Sequence, residues 1–270
     1  MKLLILTKKS LSIMFVCLFI AVLAGVISFG AVTKTVQTAT EPREIPIYCV
    51  DTDEKKVALS FDAAWGNEQT TQLLNILDEK NVKTTFFLVG DWVDKYPDSV
   101  KEIAQRGHDV ENHSNTHPYM SQLSESKMKE EIDSCNEKIE ALTGCKPTLF
   151  RAPYGDYNNA VVKAVKSADM YCMQWDVDSL DWKDPSPQQI VKTISDKINC
   201  GSIILMHNGA TNTPEALPTV IDAIREKGYE IVPISQLLPQ GDYTTDANGM
   251  MHLCDGDTSP AGTQAPPSIN

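Results

Sequence analysis

The sequence lacks an excess of positive charge and has no run of basic residues. Its 24 Lys and Arg residues stand against 36 Asp and Glu residues, which gives a formal net charge of −12. An acidic surface repels phosphate backbones, so the composition argues against a nucleic-acid partner. Because 42% of the residues are hydrophobic and 22% are charged, the chain can bury a core, and a wholly disordered protein is excluded.

Two common chemical motifs are also missing. The seven cysteines include no C-x-x-C pair, which argues against a zinc knuckle or a redox dithiol. No glycine-rich dinucleotide fingerprint follows a predicted strand. Disulfides can form in an extracytoplasmic domain, but the scattered spacing of the cysteines identifies no pair.

The N-terminal segment is apolar over residues 11–32 and is preceded by Lys2, Lys8 and Lys9. A helix of that length spans a hydrocarbon core of about 30 Å, and the lysines place its start in the cytoplasm. We therefore predict a single-pass membrane anchor over residues 1–33, with the rest of the chain extracytoplasmic. A cleaved signal peptide is the alternative, and the protein would then be secreted.

The remaining chain divides by composition into a linker with a first short strand (34–54), a folded domain (55–238) and a disordered tail (239–270). In the domain, strand-like apolar runs such as residues 56–61 alternate with helical periodicities such as residues 67–80. About six or seven such units without a dinucleotide fingerprint favour a parallel α/β barrel over a doubly wound sheet. We expect the domain to be monomeric.

Polar side chains follow five of the predicted strands. They are Asp62, the pair His113 and His117, Arg151, the pair Asp178 and Asp181, and His207. The carboxyl ends of the strands meet at one face of a parallel barrel, where the chemistry gathers. Two histidines four residues apart can direct both imidazoles at one cation, although two solvated histidines would have the same spacing.

Three of these positions allow either a catalytic or a structural interpretation. Asp62 could be a general base, a metal ligand, or the N-cap of the following helix. Arg151 could form a salt bridge with a core carboxylate, while the turn at residues 153–155 could offer a backbone N–H to a substrate oxygen. His207 is placed for general acid catalysis, and Asp181 could hold its ring in orientation.

Apolar residues beside these positions could form the substrate wall. Trp65 and Trp182 flank the polar motifs, and Leu205 comes two residues before His207. Core packing is nevertheless the commoner fate of tryptophan. We predict Trp65, Trp182 and Leu205 as substrate-binding residues.

Five motifs, S-F-D, H-S-N-T-H-P, R-A-P-Y-G, D-S-L-D-W and L-M-H, follow one another along the domain. Their order resembles that of the polysaccharide deacetylases of carbohydrate esterase family 4, which share the NodB homology domain. The resemblance covers residues 57–238. It implies a distorted (β/α) barrel, preceded here by the N-terminal anchor, that removes acetyl groups from N-acetylated sugars of peptidoglycan or a chitin-like polymer.

The resemblance also implies a role for each residue of the motifs, and a bound divalent metal ion, with zinc as the expected one. The implied metal ligands are His113 and His117. The implied base is Asp62, which Arg151 tethers, and the backbone amide of Tyr154 stabilises the oxyanion. The implied acid is His207, which the carboxylate of Asp181 orients.

One departure from the family pattern concerns the metal. The family has two consecutive aspartates in its first motif, base and then metal ligand, whereas residues 62–66 here read D-A-A-W-G. Ala63 cannot coordinate a divalent ion, which weakens the predicted site. The A-W-G variant resembles a sporulation-associated, membrane-anchored branch of the family. The missing carboxylate also leaves open a catalytically silent, membrane-anchored glycan-binding or structural wall protein on the same fold.

Overall fold

A computed structural model of the chain describes residue 9, residues 14–22 and residues 41–254. The chain separates into two units, residues 1–43 and residues 44–270, and the predicted site residues all lie in the second. The second unit contains a parallel β-sheet with helices and a smaller sheet.

In the first unit, residues 14–22 are helical (α1). The large apolar side chains of α1 are exposed, as for Phe15 at 62% and Phe19 at 68%. Within the described part of the chain, no helix combines the length and the apolar character needed to cross a membrane. The rest of the predicted anchor, residues 1–8, 10–13 and 23–33, lies outside the described residues.

The large sheet contains eight parallel strands, seven of them in one row. The row runs β6–β5–β4–β3–β2–β8–β7, and β9 pairs with the first residues of β2. The strands are β2 (Lys56–Ala63), β3 (Thr85–Leu88), β4 (Asp109–Asn112), β5 (Leu149–Arg151), β6 (Tyr171–Met173), β7 (Val177–Asp178), β8 (Ile203–His207) and β9 (Glu230–Ile231).

This sheet is curled into an incomplete barrel. Strands β6 and β7 are the two ends of the row, yet only residues 174–176 separate them along the chain. A connection of that length spans at most about 15 Å, because consecutive Cα atoms are about 3.8 Å apart. The two edges must therefore lie close together. The prediction of a parallel α/β sheet closing toward a barrel is confirmed in this outline.

The helices follow the strands and cover the sheet with amphipathic faces. They are α2 (Thr70–Glu79), α3 (Gly90–Lys95), α4 (Pro97–Gln105), α5 (Glu125–Thr143), α6 (Asn159–Ser167), α7 (Pro187–Ser195), α8 (Thr213–Glu226) and α9 (Ile234–Leu237). Helix α7 begins with a capping box between Ser186 and Gln189. Helix α5 ends at Gly144, whose φ of 76° is left-handed.

The alternating direction of the side chains along β2 places Asp62 inside the barrel. Val57, Leu59, Phe61 and Ala63 belong to the apolar cluster that also contains the α2 leucines. Side chains of the intervening residues point to the opposite face of a strand. Asp62 is one of these, and it lies at the carboxyl end of the strand, where the other strand ends meet.

The region predicted as a disordered tail is partly folded. Strands β1 (Cys49–Val50), β10 (Tyr243–Thr245) and β11 (Met250–Leu253) form a second sheet, in which β11 pairs with β1 and β10. The expectation for residues 239–254 was therefore wrong, because Met251 is buried and β1, distant in sequence, supplies the backbone partner. Residues 255–270 lie outside the described residues.

Candidate active site

Asp62 and Arg151 form a buried ion pair at the ends of β2 and β5. The Arg151 Nη1 donates to Asp62 Oδ1 at 2.7 Å, and its Nη2 donates to the Ser60 hydroxyl and the Gln174 carbonyl. The guanidinium lies 4.0 Å from the centroid of the Phe87 ring. Burial raises the pKa of Asp62, but Arg151 and nearby histidines outweigh it and hold that pKa below its ordinary value. Asp62 is thus an ionised carboxylate with a fixed orientation.

His113 and His117 meet just beyond β4, with ring centroids 5.0 Å apart. The Nδ1 of His113 lies 2.7 Å from the Arg151 carbonyl oxygen, so this nitrogen carries the proton and Nε2 keeps a lone pair. That Nε2 lies 3.5 Å from Asp62 Oδ2. Burial is the main cause that lowers the pKa of both rings, to about 4 for His117. Both imidazoles are therefore neutral and able to bind a cation.

The loop that carries His117 is held by hydrogen bonds that include those of one carboxylate. Glu131 on α5 accepts hydrogen bonds from the backbone N–H groups of Asn115 and Thr116, each at 2.8 Å. His117 has a left-handed φ of 60°, and its N–H donates to the Ser114 hydroxyl. A non-glycine residue in that conformation is unfavourable by itself, so the surrounding contacts fix the ring beside His113.

The donor set for a metal ion is incomplete. Catalytic zinc sites use three protein ligands and leave one position open. Ala63, at the position of the family's carboxylate ligand, is fully buried among apolar side chains. Among residues 41–254, no group of three or more His, Cys, Asp or Glu side chains is arranged to hold a metal ion. The residues present supply two imidazoles and do not fit a three-ligand site.

His207 and Asp181 form a second buried pair, at the end of β8. The His207 Nδ1 lies 2.8 Å from Asp181 Oδ1, while Asp181 Oδ2 accepts from the His207 backbone N–H and the Thr213 hydroxyl. Burial lowers the pKa of His207, but the hydrogen bond and charge of Asp181 outweigh it and raise that pKa. The ring therefore holds a proton to higher pH than a free histidine, and Nε2 is the nitrogen left for a substrate.

Tyr154 lies in the short turn Pro153–Gly155 directly after β5, with a left-handed φ of 61°. The hydrogen bonds of this turn run from Gly155 N to Ala152 O and from Asp156 N to Pro153 O. No hydrogen bond of the Tyr154 N–H is found within residues 41–254. The Tyr154 ring lies 4.5 Å from that of His117, so this residue lies next to the histidine pair.

The predicted substrate-binding residues occupy different environments. Trp65 and Trp182 are 45% and 49% exposed, which excludes core packing for both. The Trp65 ring lies 5.1 Å from the His207 ring. Leu205 is buried, and strand alternation places it on the same face of β8 as His207. All three lie on or beside elements that carry the polar residues.

The structure adds functional candidates that the sequence analysis missed. Ser60 and Gln174 contact Arg151, and Thr213 contacts Asp181. These contacts join residues far apart in sequence, so no local signal identified them. Tyr119 stacks on Tyr154 with ring centroids 4.4 Å apart, and its position two residues after His117 was a signal that could have been used.

Comparisons with known proteins match the chain to one family. The family model "Polysaccharide deacetylase" matches residues 50–173. A peptidoglycan-N-acetylglucosamine deacetylase of Bacillus cereus (strain ATCC 14579) is 32% identical over 203 residues, covering 73% of this chain and 95% of that protein. The uncharacterized protein YlxY of Bacillus subtilis (strain 168) is 38% identical over 195 residues, covering 72% of this chain but only 61% of YlxY.

Two of the similar crystal structures are of one protein, BA3943. Wild-type BA3943 of Bacillus anthracis, described as a CE4 family pseudoenzyme, is 39% identical, with a TM-score of 0.70 and coverage of 72% of this chain and 69% of that chain. A BA3943 mutant described as having restored enzymatic activity is 40% identical, with a TM-score of 0.70 and coverage of 72% and 71%.

Proposed function

The chain belongs to the polysaccharide deacetylase family, hydrolases that act on N-acetyl amide bonds, and from this we propose that it deacetylates an N-acetylated cell-wall glycan. One observation carries the proposal: Asp62 and His207 are register partners at the ends of β2 and β8, and each is held by its own buried partner, Arg151 and Asp181. A carboxylate with a lowered pKa and an imidazole with a raised pKa are a base and an acid at the same pH.

The proposed reaction uses groups of the chain. Asp62 accepts a proton from water as the water oxygen attacks the acetyl carbonyl carbon. The Tyr154 N–H donates to the carbonyl oxygen as negative charge develops on it. His207 then donates its proton to the sugar nitrogen as the C–N bond breaks, and acetate and the free amine leave. Arg151 and Asp181 orient the base and the acid and keep them in their required protonation states.

The nature of the substrate is supported by the relatives and by the exposed aromatic residues. The B. cereus relative acts on peptidoglycan N-acetylglucosamine. The exposed Trp65 ring lies 5.1 Å from the ring of the acid His207, and the exposed Trp182 follows Asp181 in the chain; exposed aromatic side chains of this kind suit a sugar-binding site. The family's deacetylases are generally metal-dependent, so the two-histidine set here implies weak metal binding and slow turnover.

The test is acetate release from N-acetylchitooligosaccharides and from peptidoglycan by the purified protein. We expect measurable release by the wild type and a loss of about 100-fold or more in Asp62→Asn, because the amide cannot accept the proton. Asp222→Asn, which changes an exposed carboxylate paired with Lys80, is the matched control and should retain activity. Undiminished release by Asp62→Asn would eliminate Asp62 as the base.

A second function is favoured by Ala63 and by the similarity to a pseudoenzyme. We propose as the alternative that the chain binds cell-wall glycan without hydrolysing it. The discriminating experiment measures bound metal, glycan affinity and acetate release for the wild type and His113→Ala with added zinc, cobalt or manganese. Saturable glycan binding with no acetate under any ion would establish the silent function, whereas release that requires His113 would exclude it.

We further propose that residues 1–33 attach the extracytoplasmic domain to the membrane. The proposal is supported by the apolar composition of residues 11–32, the preceding lysines and the exposed apolar side chains of α1. The test separates membranes from soluble material in cells that express the full chain and a variant starting at residue 34. Recovery of the full-length, uncleaved chain in the soluble fraction would contradict the anchor.

A further inference from the structure

Exposed aromatic rings are concentrated around the candidate site. In residues 41–254 the large hydrophobic side chains that remain exposed are Trp65, Tyr119, Tyr154, Trp182 and Leu253. Four of these five are aromatic, and each of the four is next to a motif residue in sequence or in contact with one. Because exposed apolar area is unfavourable in water, its location beside the polar residues of the candidate site indicates a ligand surface.

Tyr119 and Tyr154 form one continuous surface within this set. Their rings are stacked at 4.4 Å with an interplanar angle of 19°, and they are 51% and 59% exposed. Neither ring belongs to a core cluster. Core packing therefore does not account for the pair.

The pair is held in place before any ligand binds. Asp156, two residues after Tyr154, accepts hydrogen bonds from the backbone N–H and the hydroxyl of Ser121, each at 2.8 Å. Ser121 is two residues after Tyr119, so this contact joins the two loops that carry the tyrosines. Tyr154 also keeps an unfavourable left-handed φ. An ordered surface loses little conformational entropy on binding, which favours a ligand role.

We propose that Tyr119, backed by the stacked ring of Tyr154, forms a stacking platform for a pyranose ring of the glycan, adjacent to the sugar whose acetyl group reaches Asp62. The platform is continuous with the site, because the Tyr154 ring lies 4.5 Å from His117 and the His117 ring 5.0 Å from His113. The C–H groups on a sugar face carry partial positive charge and are attracted to the negative face of an aromatic ring. The inference rests on the proposed glycan substrate, and it adds that the ligand is a chain of sugars.

The experiment measures binding by calorimetry, so it does not depend on turnover. N-acetylglucosamine and N-acetylchitooligosaccharides of two to six units are titrated into wild type, Tyr119→Ala and Tyr119→Trp. Wild-type affinity should rise with chain length as the platform becomes occupied. Tyr119→Ala should bind the longer oligomers about 5- to 10-fold more weakly, a factor typical of one aromatic contact, while Tyr119→Trp should retain affinity. Tyr119 is exposed, so both variants should fold.

Each outcome decides the proposal. A loss in Tyr119→Ala that is confined to the longer oligomers, with Tyr119→Trp unaffected, supports the platform. Equal affinity of wild type and Tyr119→Ala, or wild-type affinity independent of chain length, overturns it. Absence of acetate in a parallel assay contradicts the proposed hydrolysis but leaves the binding result intact, so the two failures are distinguishable.

Discussion

The site has two halves that differ in completeness. In the acid half (Asp181, His207 and Thr213), each side chain has a buried partner, and Asp181 alone accepts three hydrogen bonds. In the histidine half (His113 and His117), both imidazoles are oriented, but no third His, Cys, Asp or Glu among the described residues joins them, and Ala63 carries a methyl group where the family has a carboxylate. The difference teaches that the acid pair and the histidine pair are held by separate contacts, so the hydrogen bonds of Asp181 and His207 do not depend on a third metal ligand.

The largest expected effect is a loss of acetate release when the acid half is weakened. In Asp181→Asn the acceptor that orients His207 and raises its pKa loses its charge, so the imidazole is less often protonated. We expect acetate release to fall about 100- to 1000-fold, measured across pH together with an NMR titration of His207. Asp178→Asn is the control. The charge of Asp178 affects His207 less than that of Asp181 does, so this variant should change acetate release far less. An unchanged His207 titration in Asp181→Asn would contradict this account of the acid half.

A smaller effect, a rise in zinc affinity, is expected when a carboxylate is added to the histidine half. Ala63→Asp returns a carboxylate to a fully buried position at the end of β2. We expect zinc affinity to rise about 10- to 100-fold by calorimetry, since ligand-shell changes commonly alter affinity by that factor. The metal-free variant should be about 1–3 kcal/mol less stable, because an unpaired carboxylate is buried.

Ala63→Asn is the matched control for this prediction, because its amide has a similar size and no charge. Only the aspartate variant should show a rise in Tm on adding zinc that exceeds the wild-type rise. Equal zinc affinity of Ala63→Asp and Ala63→Asn would indicate that position 63 does not face the histidines.

The smallest effect concerns pH and stability. The folded-state pKa of His207 is raised above the ordinary value near 6.5, so between these two pKa values the folded state binds more protons than the unfolded state. The stabilisation from His207 is therefore fully present below pH of about 6.5 and is lost as pH rises through the folded pKa. We expect the free energy of unfolding to decline over that pH range, measured by urea titration.

His207→Gln is the comparison for the pH dependence, because its side chain does not titrate. The difference in unfolding free energy between wild type and this variant should shrink as pH rises above about 6.5. A difference that stays constant from pH 5 to 9 would show that Asp181 does not stabilise the protonated ring.

Much of the local structure could be predicted from the sequence. Residues 67–80 have helical periodicity, and the helix runs over Thr70–Glu79. The apolar run of residues 84–89 becomes β3 (Thr85–Leu88). Chemistry-bearing residues such as Asp62, Arg151 and His207 follow or end apolar runs, and the structure places them at the ends of β2, β5 and β8. These predictions succeed because burial imposes the period of the strand or helix on the sequence.

The sequence by itself thus determined the order of strands and helices, the identity of the polar residues at the strand ends, and the absence of a carboxylate at Ala63. Only the tertiary structure decided that β1 pairs with β11, that Thr213 donates to Asp181, and that Tyr119 stacks on Tyr154. The physical reason is that periodicity reports which face of an element is buried, whereas these contacts join distant segments whose approach depends on how the whole sheet curls.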